Sequence, residues 1–437
     1  MSIVPGNIRM QPIAACLAAA FALAPPLALA TTRVVNTCAD DGSIGSLRSQ
    51  VSAANSGDTI DLSTAQLTCS LITLSVSEIA TGVASLTLKG PASRTVTITT
   101  SDPIRLLHHT GVQTLKVSNL TLSGGSDDQN PDEAQGGCIA SLGSVVLEYA
   151  VVSGCMAHSE YGRARGGAVY APAVSLYHAV VSGNSASSVH NTAFGGGIYT
   201  HQLVIQSYST LTANAATSAA ESTYGGGAFA TYSASLYFST VDSNHARAGG
   251  GLYCGGGFGS STILHDSTVS GNSADSFAGG IATAGALVKI YNSTIAFNSA
   301  QAMGGLFSNQ SVQLNSSIVA KNRNTSPGGF ADLFVSQGDV DSAGLNNLVQ
   351  SYNVVPATGV ITFTSDPKLA PLAFHGGPTR THALLATSPA VDHGNNEHSA
   401  GTDQRGFGFD RVVNGTQDIG AYERQIDDDE IFYGGFD

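Results

Sequence analysis

The sequence predicts an all-β protein, a single-stranded, right-handed parallel β-helix with a cap at each end. Glycine doublets or triplets recur at intervals of 24 to 30 residues in the 437-residue chain. The stretches between them alternate apolar and polar residues with the period of a strand. Charged residues make up only 11% of the chain, whereas 51 residues are glycine. This composition favours short strands joined by tight turns over a disordered chain.

Glycines open each repeat. The repeats begin at Gly136, Gly166, Gly195, Gly225, Gly249, Gly279 and Gly304. An aliphatic or small residue and then an aromatic one usually follow, as in Val169-Tyr170, Ile198-Tyr199, Ala228-Phe229, Leu252-Tyr253 and Leu306-Phe307. Each coil of a β-helix pairs with the coils above and below it, so equivalent residues stack into columns. We expect the glycines to form corners with positive φ and to allow neighbouring coils to approach closely.

An asparagine column follows the strand pattern of the repeats. It consists of Asn184, Asn214, Asn244, Asn272, Asn298 and Asn322. Three residues before each asparagine stands an aliphatic residue, and five residues before it stands a small one, such as Ser209. We expect the aliphatic column to fill the core and the asparagines to hydrogen-bond along their stack. The crossover rule for parallel strands favours a right-handed coil.

The chain divides into five segments. Residues 31–135 carry the alternation less regularly and are predicted to form an N-terminal cap and the first coils. Residues 136–330 form the regular glycine and asparagine repeat, and variable lengths after the asparagines place insertions on one edge. Residues 331–423 are predicted to form closing coils and a C-terminal cap, and residues 424–437 an acidic tail.

Residues 1–30 are typical of an export signal. Arg9 is their only charge, and an apolar run ends in Ala28-Leu29-Ala30, an A-x-A cleavage pattern. The alternative is a membrane anchor, which Pro25-Pro26 and the short run disfavour. We therefore expect an exported protein, outside the cell or at the outer-membrane surface, with no spanning segment after cleavage. The net charge of −13 disfavours nucleic acid as a partner.

Five cysteines remain after the predicted cleavage, and none has zinc-site spacing. In an exported protein, Cys38 and Cys69 are expected to form a disulfide. Cys138 and Cys155 are a further candidate pair, although the sequence leaves the pairing of these two and Cys254 open. Cys254 is expected to be a small buried hydrophobic residue.

Three segments resemble modules of secreted β-helix proteins. Residues 37–63 (TCADDGSIGSLRSQVSAANSGDTIDLS) resemble the N-terminal module named for its CSLREA motif, although Gly45 stands at the cysteine position. Residues 297–307 (FNSAQAMGGLF) resemble the repeat of polymorphic outer-membrane proteins, which have an adhesive role. Residues 384–423 closely resemble the choice-of-anchor Q domain, with its Ser-Pro-Ala, Asp-Gln-Arg-Gly and Asp-Ile-Gly-Ala motifs. Together these resemblances imply a secreted or surface-displayed β-helix protein, usually without an assigned activity. In the last segment, Asp403, Arg405 and Asp418 are expected to close the cap through structural hydrogen bonds or an ion pair.

A row of aromatic residues is the candidate binding surface. Seven residues before the asparagines stand Tyr177, Tyr237, His265 and Tyr291, with interruptions at Ser207 and Asn315. Strand alternation points these rings outward, where they suit sugar stacking or contact with a protein. Ordinary β-propensity is the alternative explanation. The predicted function is therefore non-catalytic: adhesion, or binding of a polysaccharide or a surface protein, with a purely structural surface component as a further possibility.

An enzyme is the alternative function, because parallel β-helices include pectate-lyase-like and polygalacturonase-like enzymes. A polysaccharide lyase or glycoside hydrolase acting on an acidic polysaccharide needs a base or paired carboxylates on one face. No catalytic residue is assigned. The edge loop with His158, Glu160, Tyr161, Arg163 and Arg165 holds the best combination, and a solvated loop is its alternative.

No cofactor motif is present in the sequence. Asp127, Asp128, Asp132 and Glu133 are candidate Ca²⁺ ligands, since they cluster in one acidic stretch. Their spacing lacks the pattern of an EF-hand loop, and an exposed acidic loop is the alternative.

Overall fold

The computed structural model describes residues 29–93, 95–128, 131–257, 259–340, 345–354, 356, 358–398 and 400–426. The predicted export signal lies almost wholly outside the described residues, as does the acidic tail beyond residue 426. The described chain winds into a β-solenoid of about 11 turns. Its named strands form three sheets in which strands of successive coils pair in parallel. The predicted all-β parallel β-helix is confirmed.

Each regular coil runs from sheet 1 through sheet 2 to sheet 3. Sheet 1 consists of Thr32–Val34, Thr59–Asp61, Ile79–Thr81, Leu86–Lys89, Leu107–His109, Thr114–Ser118, Ile139–Ser141, Ser144–Glu148, Val169–Tyr177, Ile198–Gln206, Ala228–Tyr237, Leu252–Cys254, Ser261–His265, Ile281–Thr283, Leu287–Tyr291, Leu306–Ser308, Val312–Asn315 and Leu333–Val335. Sheet 2 consists of Leu71–Leu74, Thr97–Thr100, Thr121–Ser123, Val151–Ser153, Val180–Ser182, Thr210–Thr212, Thr240–Asp242, Thr268–Ser270, Thr294–Ala296, Ile318–Ala320, Asn347–Val349 and Ile361–Phe363. Sheet 3 consists of Ser126–Asp127, Glu133–Gln135, Met156–Ser159, Arg163–Arg165, Ser185–Ser188, Ala193–Phe194, Ala215–Ser218, Thr223–Tyr224, His245–Ala248, Ser273–Phe277, Ser299–Ala302 and Arg323–Asn324.

The core lies between the three sheets and is built from the alternating residues of each strand. Val181, Leu211 and Val241 are aligned in successive strands of sheet 2 and are fully buried. The outward-facing residues on either side of Val181 and of Leu211 are only partly buried. The apolar residues buried in successive coils therefore form a continuous core along the described solenoid.

Two hydrogen-bonded ladders support the turns on either side of sheet 2. In the asparagine column, Asn184 donates from Nδ2 to Oδ1 of Asn214 over 2.8 Å, and the same bond recurs down to Asn322 at 2.9 Å. At the other turn, the backbone N–H of Ser209 donates to Oγ of Ser239 over 3.3 Å, and the serine column continues in the same way. Both ladders satisfy buried backbone groups that a turn would otherwise leave unpaired.

The glycine corner brings two coils into backbone contact. At Gly226, a Cβ atom would lie 2.4 Å from the carbonyl oxygen of Gly250 and 2.4 Å from that of His245. The neighbouring Gly225 has a φ of +69°. Gly225 is therefore favoured by its positive φ, and Gly226 is required because a Cβ atom would collide with the neighbouring coil.

Sheet 3 is divided into two ladders in the coils before His245–Ala248. The loops 160–162, 189–192 and 219–222 join the two ladders, and His245–Ala248 pairs with both of them. A narrow core of small residues lies between the ladders: Ala164, Ala186, Ala193, Ala216 and Ala246. We call these two ladders and their loops the fin. It contains the insertion expected between an asparagine and the next glycines. A second insertion, of which residues 255–257 and 259–260 are described, lies within sheet 1.

A short helix, Leu47–Ser52, covers the N-terminal end, and Leu47 and Val51 join the core. Arg48 forms an ion pair with Asp40, with Nε 2.8 Å from Oδ1. Burial raises the pKa of Asp40, but the hydrogen bonds from Arg48 and from the backbone outweigh it and hold this pKa below its ordinary value. The Ser-Leu-Arg centre of the CSLREA-like segment thus ties the helix to the first coils.

Two cysteine pairs lie at disulfide distance. The Cα atoms of Cys38 and Cys69 are 6.4 Å apart, and those of Cys138 and Cys155 are 5.5 Å apart. The structure therefore resolves the pairing that the sequence left open. Cys254 is a buried free thiol whose pKa is raised by burial.

The C-terminal segment, described over residues 364–398 and 400–426, folds back along the outer face of sheet 2. In the strands from Thr240–Asp242 to Asn347–Val349 every residue is buried, whereas the strands from Thr121–Ser123 to Thr210–Thr212 leave their outward residues partly exposed. The predicted C-terminal cap is thus a lateral cover over five strands, and it includes a 3₁₀ turn at Asn396–His398.

Polar contacts hold this cover to the solenoid. Thr268 donates from Oγ1 to Oε1 of Gln404 over 2.6 Å, and Nη2 of Arg380 lies 2.5 Å from Oδ2 of Asp242. Within the cover, Arg405 pairs with Asp403 at 2.8 Å, and both side chains are buried. These contacts show that the choice-of-anchor-Q-like segment has a structural role in this chain.

Candidate functional site

The predicted aromatic row lies on the outer face of sheet 1, next to the turn into sheet 2. Tyr237 and His265 have ring centroids 6.3 Å apart, and His265 and Tyr291 are 5.8 Å apart. Tyr177, however, is aligned with Gln206, which separates it from Tyr237. Tyr291 also contacts His398 of the C-terminal cover at 4.3 Å. The four predicted residues therefore share one column, but they do not form an uninterrupted open strip.

A more extensive set of rings lies at the glycine corner, between the fin and sheet 1. We call it the aromatic corner. It consists of Tyr170, Tyr199, Phe229 and Tyr253 on sheet 1, and Phe194 and Tyr224 on the fin. The rings on sheet 1 stack from coil to coil at centroid distances of 5.4, 5.5 and 5.3 Å. All six rings are half-buried, so each keeps part of its surface open to solvent.

The two walls of the aromatic corner meet edge to face. Phe194 lies 4.9 Å from Phe229 with an interplanar angle of 69°, and Tyr224 lies 5.0 Å from Tyr253 at 72°. Burial raises the pKa of the hydroxyl groups of Tyr199 and Tyr253. These hydroxyls are therefore neutral at ordinary pH and able to donate as well as accept hydrogen bonds.

Charged residues gather where this strip ends. We call the group formed by Glu78, Arg105, His108, Asp127, Glu133 and Arg165 the charged corner. With Gln135 and Ala140, four of these residues (Arg105, His108, Asp127 and Glu133) line an open depression of about 320 Å³. In the sheet 1 column, His108 is aligned with Ala140, and Ala140 with Tyr170. The aromatic column therefore leads through one small residue to a histidine.

Ion pairs organise the charged corner. Arg105 bridges two acids, with Nη1 2.8 Å from Oε2 of Glu78 and Nη2 2.5 Å from Oδ2 of Asp127. Glu78 also accepts from Nδ1 of His108 over 2.8 Å. Burial raises the pKa of Glu78, but the bond from His108 and the charge of Arg105 outweigh it and hold this pKa below its ordinary value. Glu78 is therefore a carboxylate that fixes the orientation of the imidazole.

Two of the candidate Ca²⁺ ligands belong to the charged corner. Asp127 is paired with Arg105 and also accepts from the backbone N–H of Gln135 over 2.7 Å, while Glu133 contacts Arg165. Asp128 follows the strand of Asp127, and Asp132 precedes that of Glu133. Across the described ranges, no three His, Cys, Asp or Glu side chains are grouped in a way that could hold a metal ion.

The edge loop considered for the alternative enzyme function forms part of the fin, and its residues do not converge on one point. His158 bonds through Nδ1 to Oγ of Ser187 over 2.8 Å, and Glu160 lies 3.7 Å from Nε2 of His190. Tyr161 stacks on the same His190 ring. Arg165 instead belongs to the charged corner, with its guanidinium 5.5 Å above the Tyr199 ring.

Comparison with known proteins yields no match to any family model, curated protein or solved structure. The three family resemblances therefore rest on their motifs alone. Within the described part of the chain, no helix has the length and apolar character needed to cross a membrane.

Proposed function

We propose that this protein is an exported, non-catalytic solenoid that binds an extended polysaccharide along the aromatic corner. The observation that carries the proposal is the continuous strip of half-buried rings, one or two per coil, in the re-entrant angle between the fin and sheet 1. A site that repeats with every coil suits a ligand that also repeats. Tyrosine adds a polar end to an apolar ring, and sugars combine hydroxyl groups with apolar C–H faces.

Export is the second part of the proposal. The two cysteine pairs at disulfide distance are typical of proteins of an oxidising environment. The signal-like residues 1–30 and the resemblances to secreted and surface-displayed proteins support the same location, outside the cell or at the outer-membrane surface. Adhesion through a polysaccharide would follow from a rigid solenoid displayed there.

The test is to incubate the purified protein with a panel of neutral and acidic polysaccharides and to measure retention. Tyr199→Ala removes a ring from the middle of the aromatic corner, and Tyr237→Ala is its matched control in the predicted row. We expect Tyr199→Ala to weaken retention about tenfold and Tyr237→Ala to leave it unchanged. The reverse result would move the site to the predicted row. Retention of no polymer would overturn the proposal in favour of a protein partner or a structural role.

A polysaccharide lyase or hydrolase is the second candidate, and one observation favours it. In the charged corner, His108 is hydrogen-bonded to the carboxylate of Glu78, which is also paired with Arg105. A histidine oriented by a carboxylate can serve as a general acid or base. Against this, the guanidinium groups of Arg105 and Arg165 are already paired with carboxylates, so neither is free to neutralise an acidic sugar. Unsaturated-product absorbance and new reducing ends, followed in the same incubations, distinguish the two functions. Product release would replace the binding proposal with the enzyme.

A further inference from the structure

We infer that the charged corner is a specificity subsite, in which Nε2 of His108 bonds a hydroxyl group of one uncharged sugar unit. This inference rests on the proposed function, since the sugar unit would belong to a chain lying along the aromatic corner. The inference extends that function in two ways: it names the class of ligand, a neutral polysaccharide, and it assigns His108 as a residue that selects this ligand.

The column geometry places the subsite. Tyr199, Tyr170, Ala140 and His108 occupy the same position in four successive coils. A ligand that follows the rings therefore passes over Ala140 before it reaches the imidazole. Because alanine fills so little of its place in the column, the depression of about 320 Å³ opens there. The face of Tyr170 that is turned toward this coil has no ring stacked against it in the column.

The tautomer of His108 leaves one nitrogen for the ligand. An ionised Glu78 can only accept, so the proton of a neutral imidazole lies on Nδ1. Among the described residues, no hydrogen-bond partner is found for Nε2, and His108 lines the depression. Nε2 can therefore accept a hydrogen bond from a sugar hydroxyl group, while the bond from Nδ1 to Glu78 fixes the orientation of the imidazole ring.

The balance of charge selects a neutral unit. Arg105 lies between Glu78 and Asp127, and Arg165 contacts Glu133, so the positive groups of the corner are each matched by a carboxylate. Arg105 donates further to the backbone oxygens of Gln135 and Gly136 at 3.0 Å. An acidic sugar would have to displace one of these carboxylates, whereas a neutral sugar only adds hydrogen bonds.

The experiment is calorimetric titration of the purified protein with cellohexaose, xylohexaose and mannohexaose, and with hexagalacturonate as the acidic comparison. We expect a neutral hexasaccharide to bind and His108→Ala to weaken its binding about fivefold. The matched control is His158→Ala, which removes a partly buried histidine of the fin that belongs to neither the charged corner nor the aromatic corner. Ala140→Tyr is the second variant. It continues the aromatic column into the depression, and we expect a loss of similar size.

The outcomes separate the two proposals. If Tyr199→Ala weakens binding while His108→Ala and Ala140→Tyr do not, the subsite is wrong and the aromatic corner stands. Preferential binding of hexagalacturonate would likewise overturn the inference and leave the corner. If none of the four oligosaccharides binds, the subsite inference fails, whereas the aromatic corner fails only if no polymer of the panel is retained either. If a bound oligosaccharide is insensitive to Tyr199→Ala, both proposals fail.

Discussion

The side-chain amide of Asn184 donates to Oδ1 of Asn214 over 2.8 Å, and the same oxygen accepts the backbone N–H of Asn184 over 3.1 Å. From Asn214 onward, each amide of the column therefore accepts hydrogen bonds from both the backbone and the side chain of the asparagine in the preceding coil. Nδ2 also reaches back to a carbonyl of sheet 2, as Asn184 does to Val152 over 3.2 Å. A single residue type at one position of the repeat thus satisfies several buried groups, which explains its recurrence.

Replacing an asparagine in the middle of this ladder should destabilise the solenoid strongly. Asn244→Ala removes the acceptor of the backbone N–H of Asn214, one of the two acceptors of Nδ2 of Asn214, and the amide that donates to the carbonyl of Leu211. We expect a loss of about 3 kcal/mol, because buried donors and acceptors lose their partners. Urea unfolding followed by far-ultraviolet circular dichroism measures it. The control is Gln301→Ala, an exposed sheet 3 position that should change the midpoint little; equal midpoints for both variants would contradict a role for the ladder.

The glycine corner should tolerate no side chain at its second position. Gly226→Ala places Cβ against backbone carbonyls of two residues at 2.4 Å, and backbone cannot move aside without separating the coils. We expect a loss of at least about 3 kcal/mol or failure to fold, measured by thermal unfolding. Gly257→Ala is the control, because a Cβ there meets nothing within 4 Å. A stable Gly226→Ala protein would show that the coils can separate at the corner.

The repeat region could be predicted from the sequence because stacked coils make sequence columns coincide with spatial columns. The glycine, asparagine and aliphatic positions follow directly from this correspondence. The aromatic residue after the glycines was visible as well, in Tyr170, Tyr199, Phe229 and Tyr253. The sequence did not show that this column forms a corner with a second set of rings. That corner exists because the fin packs beside sheet 1, and the division of sheet 3 into two ladders cannot be read from a single repeat.

Two other features depend on contacts that no column records. Counting back seven residues from Asn214 predicts that Ser207 lies beside Tyr177. In the structure Ser207 and Tyr208 both have positive φ and belong to the turn, which contains one extra residue. The strand residue paired with Tyr177 is therefore Gln206. The charged corner combines irregular first coils with the regular repeat, so Glu78 and Arg105 had no aligned equivalents. The lateral course of the C-terminal cover was likewise hidden, since Thr240, Thr268 and Thr294 resemble ordinary outward strand residues.

The C-terminal cover should lose stability in acid through His382. This side chain is 3% exposed, with Nδ1 2.7 Å from the carbonyl oxygen of Ala370 and Nε2 2.7 Å from Oγ of Ser270. Burial lowers the pKa of His382 to about 4, from an ordinary value of 6.5. Between these values the unfolded chain binds a proton that the folded chain does not, so stability is present above pH 6.5 and falls as the pH falls toward 4.

The measurement compares His382→Gln with the unsubstituted protein across this range. Glutamine does not titrate. As the pH falls through this range, the free energy of unfolding of the unsubstituted protein should therefore decrease by roughly one kcal/mol per pH unit more than that of the variant. His190→Gln, at an exposed histidine of the fin, should keep the original pH dependence. A variant whose pH profile parallels that of the unsubstituted protein would show that other groups control the acid loss.

Thiol counting should test the cysteine pairing and the export signal together. Of the six cysteines, four form the two pairs, Cys254 is buried, and Cys16 lies within the predicted signal. Burial also raises the pKa of Cys254, which keeps it protonated and unreactive in the folded protein. If the chain is cleaved after Ala30 as predicted, the native protein should consume no equivalent of thiol reagent, and the protein unfolded without reductant should consume one. Two equivalents after unfolding would mean that Cys16 and the leader are retained. Three or more would mean that at least one of the pairs is not a disulfide.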